Sequence, residues 1–198
     1  MDWIAQYVGL QEALEAQKNE LQIRLGDDYD FYNFQSANGN PILLRKEIFN
    51  VIASEALEHP ISCVIERYIN YVVLQQISTG HLFVLHNTKF CPLSASFPAN
   101  ELDAEARNQD HAQTLAQFMD NNSTQYSAPV IALGDLNTSS SSSIQFLLGQ
   151  GSLGNGATIS LELNDTYSIA NPSIDRTTAS DWIIASSGLT VKKNGRGQ

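Results

Sequence analysis

Asp135 and Asn137 stand one residue apart in Gly134-Asp135-Leu136-Asn137, directly after the apolar run Val130, Ile131 and Leu133. The run reads as a buried strand over 129–133 that delivers an acid and an amide to its carboxyl end. In extended geometry both side chains point the same way. A carboxylate and a carboxamide converging there suit a metal ion, a water or a phosphate. Gly134 lets the backbone turn sharply or approach something closely. Gly-Asp-x-Asn-Thr is also common turn composition, so this stretch alone leaves both readings open.

Two further acids share the setting. Glu12 sits where a predicted strand meets a predicted helix. A carboxylate there is favourable with the helix macrodipole, or it is a metal ligand at a strand end. Asp181 precedes the apolar run that begins Trp182-Ile183-Ile184. If Glu12, Asp135 and Asp181 meet at one rim of a sheet sandwich, with Asn137 beside them, they make a hard-oxygen site for Mg²⁺ or a similar ion.

Strands and helices must bring these residues together. Tyr7-Val8-Gly9-Leu10 reads as a first strand core. The segment 13–25 reads as a helix with Leu14, Leu21 and Leu25 near one face and Gly26 as its stop. Short strands are expected over 29–34, 42–45 and 49–53, with Asn38-Gly39-Asn40-Pro41 as a turn. The stretch 63–77 is rich in β-branched and aromatic residues. Ser78-Thr79-Gly80 turns it into 82–86, a long β-hairpin. Helical spacing over 102–119 puts Ala112, Leu115, Ala116 and Met119 on one stripe, and Asn121-Asn122-Ser123-Thr124 is expected to end that helix. The serine run 139–143 reads as a loop and N-cap before 144–148, and 161–167 as a strand or strand entry. Strands outnumber helices, which fits an α+β domain of two packed sheets with helices outside. No repeat and no domain boundary is visible.

Composition narrows the partners. Hydrophobic residues make up 42% of the 198, enough for one sizeable core. A formal net charge of −10 argues against a broad basic surface for polyanions. A phosphate site is compatible with it if divalent metal supplies positive charge. The two cysteines, Cys63 and Cys91, have no zinc-site spacing. They fall near opposite ends of the hairpin strands, where a disulfide is geometrically open; two free thiols are the expectation. No apolar run is long enough to span a membrane, and no signal-peptide pattern opens the sequence.

Taken in order, these segments carry a family resemblance. Val8-Gly9-Leu10-Gln11-Glu12, Asn40-Pro41-Ile42-Leu43-Leu44-Arg45, Arg67 with the strand 82–90, Arg107, Gly134-Asp135-Leu136-Asn137, Asp165-Thr166-Tyr167 and the run from Asp181 to Ser186 follow one another over nearly the whole chain. Together they resemble the endonuclease/exonuclease/phosphatase superfamily, the DNase I-like metal-dependent phosphoesterases. The Gly-Asp-x-Asn segment is its most specific local signature. The resemblance implies a four-layer α/β/β/α sandwich of two mainly antiparallel sheets. It also implies hydrolysis of a phosphate ester by water with Mg²⁺ or Mn²⁺. It would make Glu12 and Asp135 metal-site residues, with Asp135 also positioning or activating the attacking water. Asn137 would steady the phosphate, and Asp181 would support the acid/base apparatus. Superfamily substrates include DNA, RNA, phosphoinositides and sphingomyelin; the acidic composition disfavours a nonspecific duplex-DNA enzyme, and the sequence selects no further among them.

Three departures stand against that pattern. The family's Asn-Thr-His is Asn87-Thr88-Lys89 here. Lys89 supplies a cation for a phosphate oxygen but not an imidazole's tautomers or pKa. His86 faces opposite to Lys89 in a strand and reads as an ordinary strand residue. The closing Ser-Asp-His segment does not occur in the 198 residues, and His59, His81 and His111 have no matching context. The family's first strand, with its metal-site Asn, is also missing. The resemblance therefore implies a single domain over 1–198 that is incomplete at both ends. The alternative function is a catalytically inactive phosphate- or protein-binding module on the same fold.

Overall fold

The computed structural model describes residues 5–34, 39–59, 66–92, 101–137, 142–153, 156–171, 180–187 and 189. The elements are β1 (Tyr7–Gly9), α1 (Glu15–Leu25), β2 (Tyr29–Tyr32), β3 (Ile42–Arg45), β4 (Phe49–Glu58), β5 (Tyr68–Gln76) and β6 (Leu82–Lys89). They continue with α2 (Glu101–Tyr126), β7 (Val130–Asp135), α3 (Ser142–Leu147), β8 (Leu163–Asp165), α4 (Thr166–Ala170) and β9 (Asp181–Ser186). A three-stranded sheet has the order β1-β3-β2 and a six-stranded sheet the order β4-β5-β6-β7-β9-β8. Pairing is antiparallel except between β6 and β7, which run parallel. α2 is the crossover between those two strands.

Side-chain alternation along the central strands builds two cores. On β5 to β7, Val72, Leu74, Leu85, Ile131 and Leu133 face the three-stranded sheet and pack with Ile42 and Leu44. Ile69, Val73, Val84, Val130 and Ala132 face the other way. They meet Ala112, Leu115, Ala116 and Met119 of α2, the stripe expected from sequence. Leu115 and Met119 are fully buried. Burial of this kind contributes roughly 2 kcal/mol per large side chain. The observed architecture is the expected α/β/β/α sandwich of two mainly antiparallel sheets. α1 has no buried residue.

Several elements differ from expectation. α1 begins at Glu15 rather than 13, because Ala13 is held by its N–H to the Gly39 carbonyl at 2.8 Å. Leu14 is then the N-cap and is 70% exposed instead of lying on an apolar face. α2 runs through Asn121-Asn122-Ser123-Thr124 to Tyr126. A buried Asn122, bonded to His86, and a Ser123 hydroxyl donating to the Ala128 carbonyl at 2.9 Å override the local tendency to stop. β4 continues to Glu58 because it pairs along the whole of β5. β8 ends at Asp165, whose carboxylate accepts from the Tyr167 N–H at 3.0 Å and caps α4.

Cys91 is disulfide-bonded, which corrects the expectation of free thiols. Cys63, part of the turn before Gly39 and most of the serine run lie outside the described residues. Among the described residues no helix is long and apolar enough to cross a membrane.

Candidate active site

The parallel β6–β7 pair places two strand carboxyl ends side by side. Lys89 and Asp135 are direct register partners there, and β9 adds Asp181 opposite Asp135. By alternation all three side chains leave the sheet on the face that carries Leu85, Ile131 and Leu133, toward the three-stranded sheet. Gly134 allows this close approach: a Cβ on it would meet the Thr88 carbonyl oxygen at 1.9 Å.

The three-stranded sheet contributes Glu12, on the turn after β1. Glu12 has φ 56° and is backed by Gly39, where a Cβ would lie 3.0 Å from the Glu12 Cα. Asn87 ties this turn to the larger sheet. Its Nδ2 donates to the carbonyls of Leu10 (2.9 Å), Asn40 (3.2 Å) and Pro41 (3.1 Å), and its Oδ1 accepts from Gln11 Nε2 at 2.7 Å. Asn70, the cross-strand partner of Asn87, donates to the same Asn40 carbonyl at 2.6 Å. Two buried amides thus fix where Glu12 stands relative to β6.

Lys89 joins the two sheets electrostatically. Its Nζ lies 2.6 Å from Asp135 Oδ2 and 3.0 Å from Glu12 Oε1, with 7% of its side chain exposed. The other Asp135 oxygen, Oδ1, accepts from the Asn137 N–H at 3.1 Å. Asn137 has φ 47°, so the extended geometry expected for the Asp-x-Asn pair is not adopted. Its side chain instead donates to the Phe90 carbonyl at 2.9 Å.

Asp181 is exposed and lines a cavity of about 480 Å³. Tyr7, Gly9, Gln11, Gly134 and Trp182 share that wall.

Arg67 is coupled to the cluster electrostatically although it was not among the expected site residues. It is 8% exposed, and its Nε has no hydrogen-bond partner among the described residues. Burial pulls the guanidinium below its ordinary value, while the charges of Glu12 and Asp135 push it back up, so both carboxylates act on it electrostatically without a direct ion pair among the described residues. Its place in the family resemblance was the signal in the sequence; nothing there showed that it would be buried within electrostatic reach of the acids.

No imidazole reaches these carboxylates among the described residues. His86 faces away from Lys89, as expected, and meets α2. Its Nδ1–H donates to the Ile131 carbonyl at 3.1 Å, and its Nε2 accepts from Asn122 Nδ2 at 3.0 Å. Burial holds it neutral, with its pKa pulled down to about 4. His59 stacks on His111 with ring centroids 4.1 Å apart, and its Nε2 lies 3.2 Å from Thr88 Oγ1. Burial, with His111 and Arg67 nearby, pushes His59 well below its ordinary pKa.

The residues can be tested against a divalent ion. Two carboxylates are the right kind of donor for Mg²⁺. As arranged, though, both already face the Lys89 ammonium, and Arg67 adds a second buried cation. Among the described residues no group of three or more His, Cys, Asp or Glu is placed to hold a metal. The arrangement does not fit a resident divalent cation.

Comparison with known proteins places the fold. No family model matches the chain, and no curated protein sequence matches it. Solved structures do match. A mannosyl-6-phosphatase of Bacteroides thetaiotaomicron aligns with a TM-score of 0.71 at 15% identity, over 92% of this chain and 72% of that one. An endonuclease/exonuclease/phosphatase from Bacteroides vulgatus aligns at 0.70 and 18% identity, over 92% and 73%. The human Nocturnin catalytic domain, solved with a bound sulfate anion, aligns at 0.68 and 16% identity, over 92% and 69%. With two mainly antiparallel sheets packed together and these structural matches, the chain has the endonuclease/exonuclease/phosphatase fold.

Proposed function

We propose that this chain is a phosphoesterase-type domain that takes a phosphate ester at the Glu12–Lys89–Asp135 cluster and hydrolyses it. The observation that carries the reading is Arg67: a buried guanidinium within electrostatic reach of Glu12 and Asp135, whose Nε lacks a partner among the described residues. An unmet buried donor costs roughly 1–3 kcal/mol, and a phosphoryl oxygen is a group that satisfies it strongly. The fold gives support, since solved proteins that share it include one named as a phosphatase and one holding sulfate.

In this reading Lys89 and Arg67 hold the negative charge that builds on the phosphoryl oxygens. Asp135, at the end of β7, orients the attacking water. Asn137 fixes the Asp135 carboxylate through its N–H and steadies the phosphate. Asp181 borders the cavity beside β1, whose apolar wall of Tyr7, Leu133 and Trp182 receives the organic part of the ester. The Mg²⁺ or Mn²⁺ expected with such chemistry enters none of these steps, because Lys89 stands on both carboxylates.

A second reading, phosphate-ester or protein binding without turnover, has its own observation. Both Asp135 oxygens are engaged, one by Lys89 and one by the Asn137 N–H, which weakens Asp135 as a base. Hydrolysis of a chromogenic phosphodiester and a phosphomonoester by the purified chain separates the two. Turnover that is lost in Asp135→Ala supports the hydrolase. A folded chain that turns over neither compound, with or without Mg²⁺ or Mn²⁺, sinks it and leaves the binding module.

A further inference from the structure

We infer that Lys89 is a tethered counterion that competes with a divalent cation for Glu12 and Asp135, so that this site takes up such an ion only by exchanging the ammonium for it. The inference concerns who occupies the carboxylates and stands whether or not the chain turns over an ester.

Three observations carry it. The ammonium is within ion-pair distance of both carboxylates at once, 2.6 Å from Asp135 and 3.0 Å from Glu12. Its root is fixed: Lys89 is the last residue of β6, the Thr88 hydroxyl donates to the Tyr68 carbonyl at 2.9 Å, and the Phe90 N–H donates to the Asp135 carbonyl at 3.0 Å. With 7% of its side chain exposed, it is also not a surface lysine sweeping through solvent.

Charge gives the competition its sense. Lys89 and Arg67 balance the charges of Glu12 and Asp135. A divalent ion added to this set meets the Lys89 ammonium at short range and the charge of Arg67 beyond it. Mg²⁺ also demands near-octahedral oxygen at about 2.0–2.1 Å, and the ammonium occupies the carboxylate faces that such a shell needs. Glu12, 66% exposed, can rotate away from Lys89; Asp135, 18% exposed and bonded to Asn137, is the more tightly held partner.

The test is Mn²⁺ binding to the whole chain, followed by the paramagnetic resonance of free Mn²⁺. The proteins are the unmodified chain, Lys89→Met, Lys89→Arg and the double variant Lys89→Met with Asp135→Asn. Lys89→Met is expected to bind Mn²⁺ roughly tenfold more tightly or better, as the loss of a close cation predicts. Lys89→Arg keeps the charge and is expected to bind like the unmodified chain. The double variant is expected to lose the gain. Lys89→Gln replaces Lys89→Met if circular dichroism shows that the methionine variant does not fold. Equal Mn²⁺ affinity with and without the Lys89 charge overturns the inference, as does a gain that survives Asp135→Asn. Failure of ester hydrolysis in every variant leaves this result untouched and counts only against the hydrolase reading.

Discussion

Lys89 and Asp135 are register partners across the parallel β6–β7 pair, and their side chains close that partnership with a 2.6 Å ion pair. A parallel pair sets both carboxyl ends on one edge of the sheet, so the Asn-Thr-Lys and Gly-Asp-x-Asn segments end within reach of each other although 46 residues separate them. β1 brings Glu12 to the same edge from the opposite sheet.

The pair should couple in stability. Asp135→Asn leaves a nearly buried ammonium with only the exposed Glu12, and the expected cost is about 2 kcal/mol, below the loss for a fully buried pair because Asp135 keeps some solvent. Adding Lys89→Met removes the stranded charge. Urea unfolding of the double variant should show a loss about 1 kcal/mol smaller than the sum of the two single losses. Strict additivity would mean that the ion pair contributes nothing.

Gly134→Ala should be far worse than an ordinary strand substitution. Its Cβ would lie 1.9 Å from the Thr88 carbonyl oxygen, which is backbone and cannot rotate away. The expected cost is roughly 3 kcal/mol, with β7 pushed from β6 and Asp135 displaced from Lys89. Thermal unfolding measures the first effect. Loss of the stability coupling between positions 89 and 135 measures the second.

Asn87→Ala should loosen the seam between the sheets. It removes the donor shared by the Leu10, Asn40 and Pro41 carbonyls and strands the Gln11 amide, for an expected cost of roughly 3 kcal/mol. Hydrogen exchange should report faster opening at the Leu10 N–H, which bonds the Pro41 carbonyl, than at amides along β5. Uniform acceleration across both sheets would instead make Asn87 a part of the general core.

Much of the fold was legible in the sequence because local pattern and tertiary context agree there. The apolar run of β7, the β5–β6 hairpin and the Ala112–Leu115–Ala116–Met119 stripe follow from periodicity alone. The order of motifs supplied the sandwich. What local pattern could not supply was contact between distant residues. Asn121-Asn122-Ser123-Thr124 looks like a helix end, and only the burial of Asn122 against His86 keeps it helical. Asp135 and Asn137 look parallel in extended geometry, but the Asp135 carboxylate captures the Asn137 N–H and turns the backbone to positive φ. Lys89 was read as a phosphate contact. That it stands on Glu12 and Asp135 depends on the register of two strands and the position of a turn in the other sheet.

Acid should unfold this protein partly through His86. The imidazole is fully buried, and both ring nitrogens are bonded in the neutral tautomer. Its folded pKa is pulled down to about 4 from 6.5. Below 6.5 the unfolded chain takes up a proton that the folded chain refuses, so stability falls as pH drops from 6.5 to about 4 and then levels off for this group. The shift corresponds to about 3 kcal/mol across that window. His59, lowered in the same direction by burial, adds to the slope. Urea unfolding at a series of pH values should show the decline, and His86→Gln, which keeps a polar group against Asn122 but cannot titrate, should flatten part of it at some cost in stability at neutral pH. A slope unchanged by that substitution would mean that His86 is protonated in the folded state, which burial and the Asn122 amide donating to Nε2 oppose even though the Ile131 carbonyl on Nδ1–H favours the charged ring.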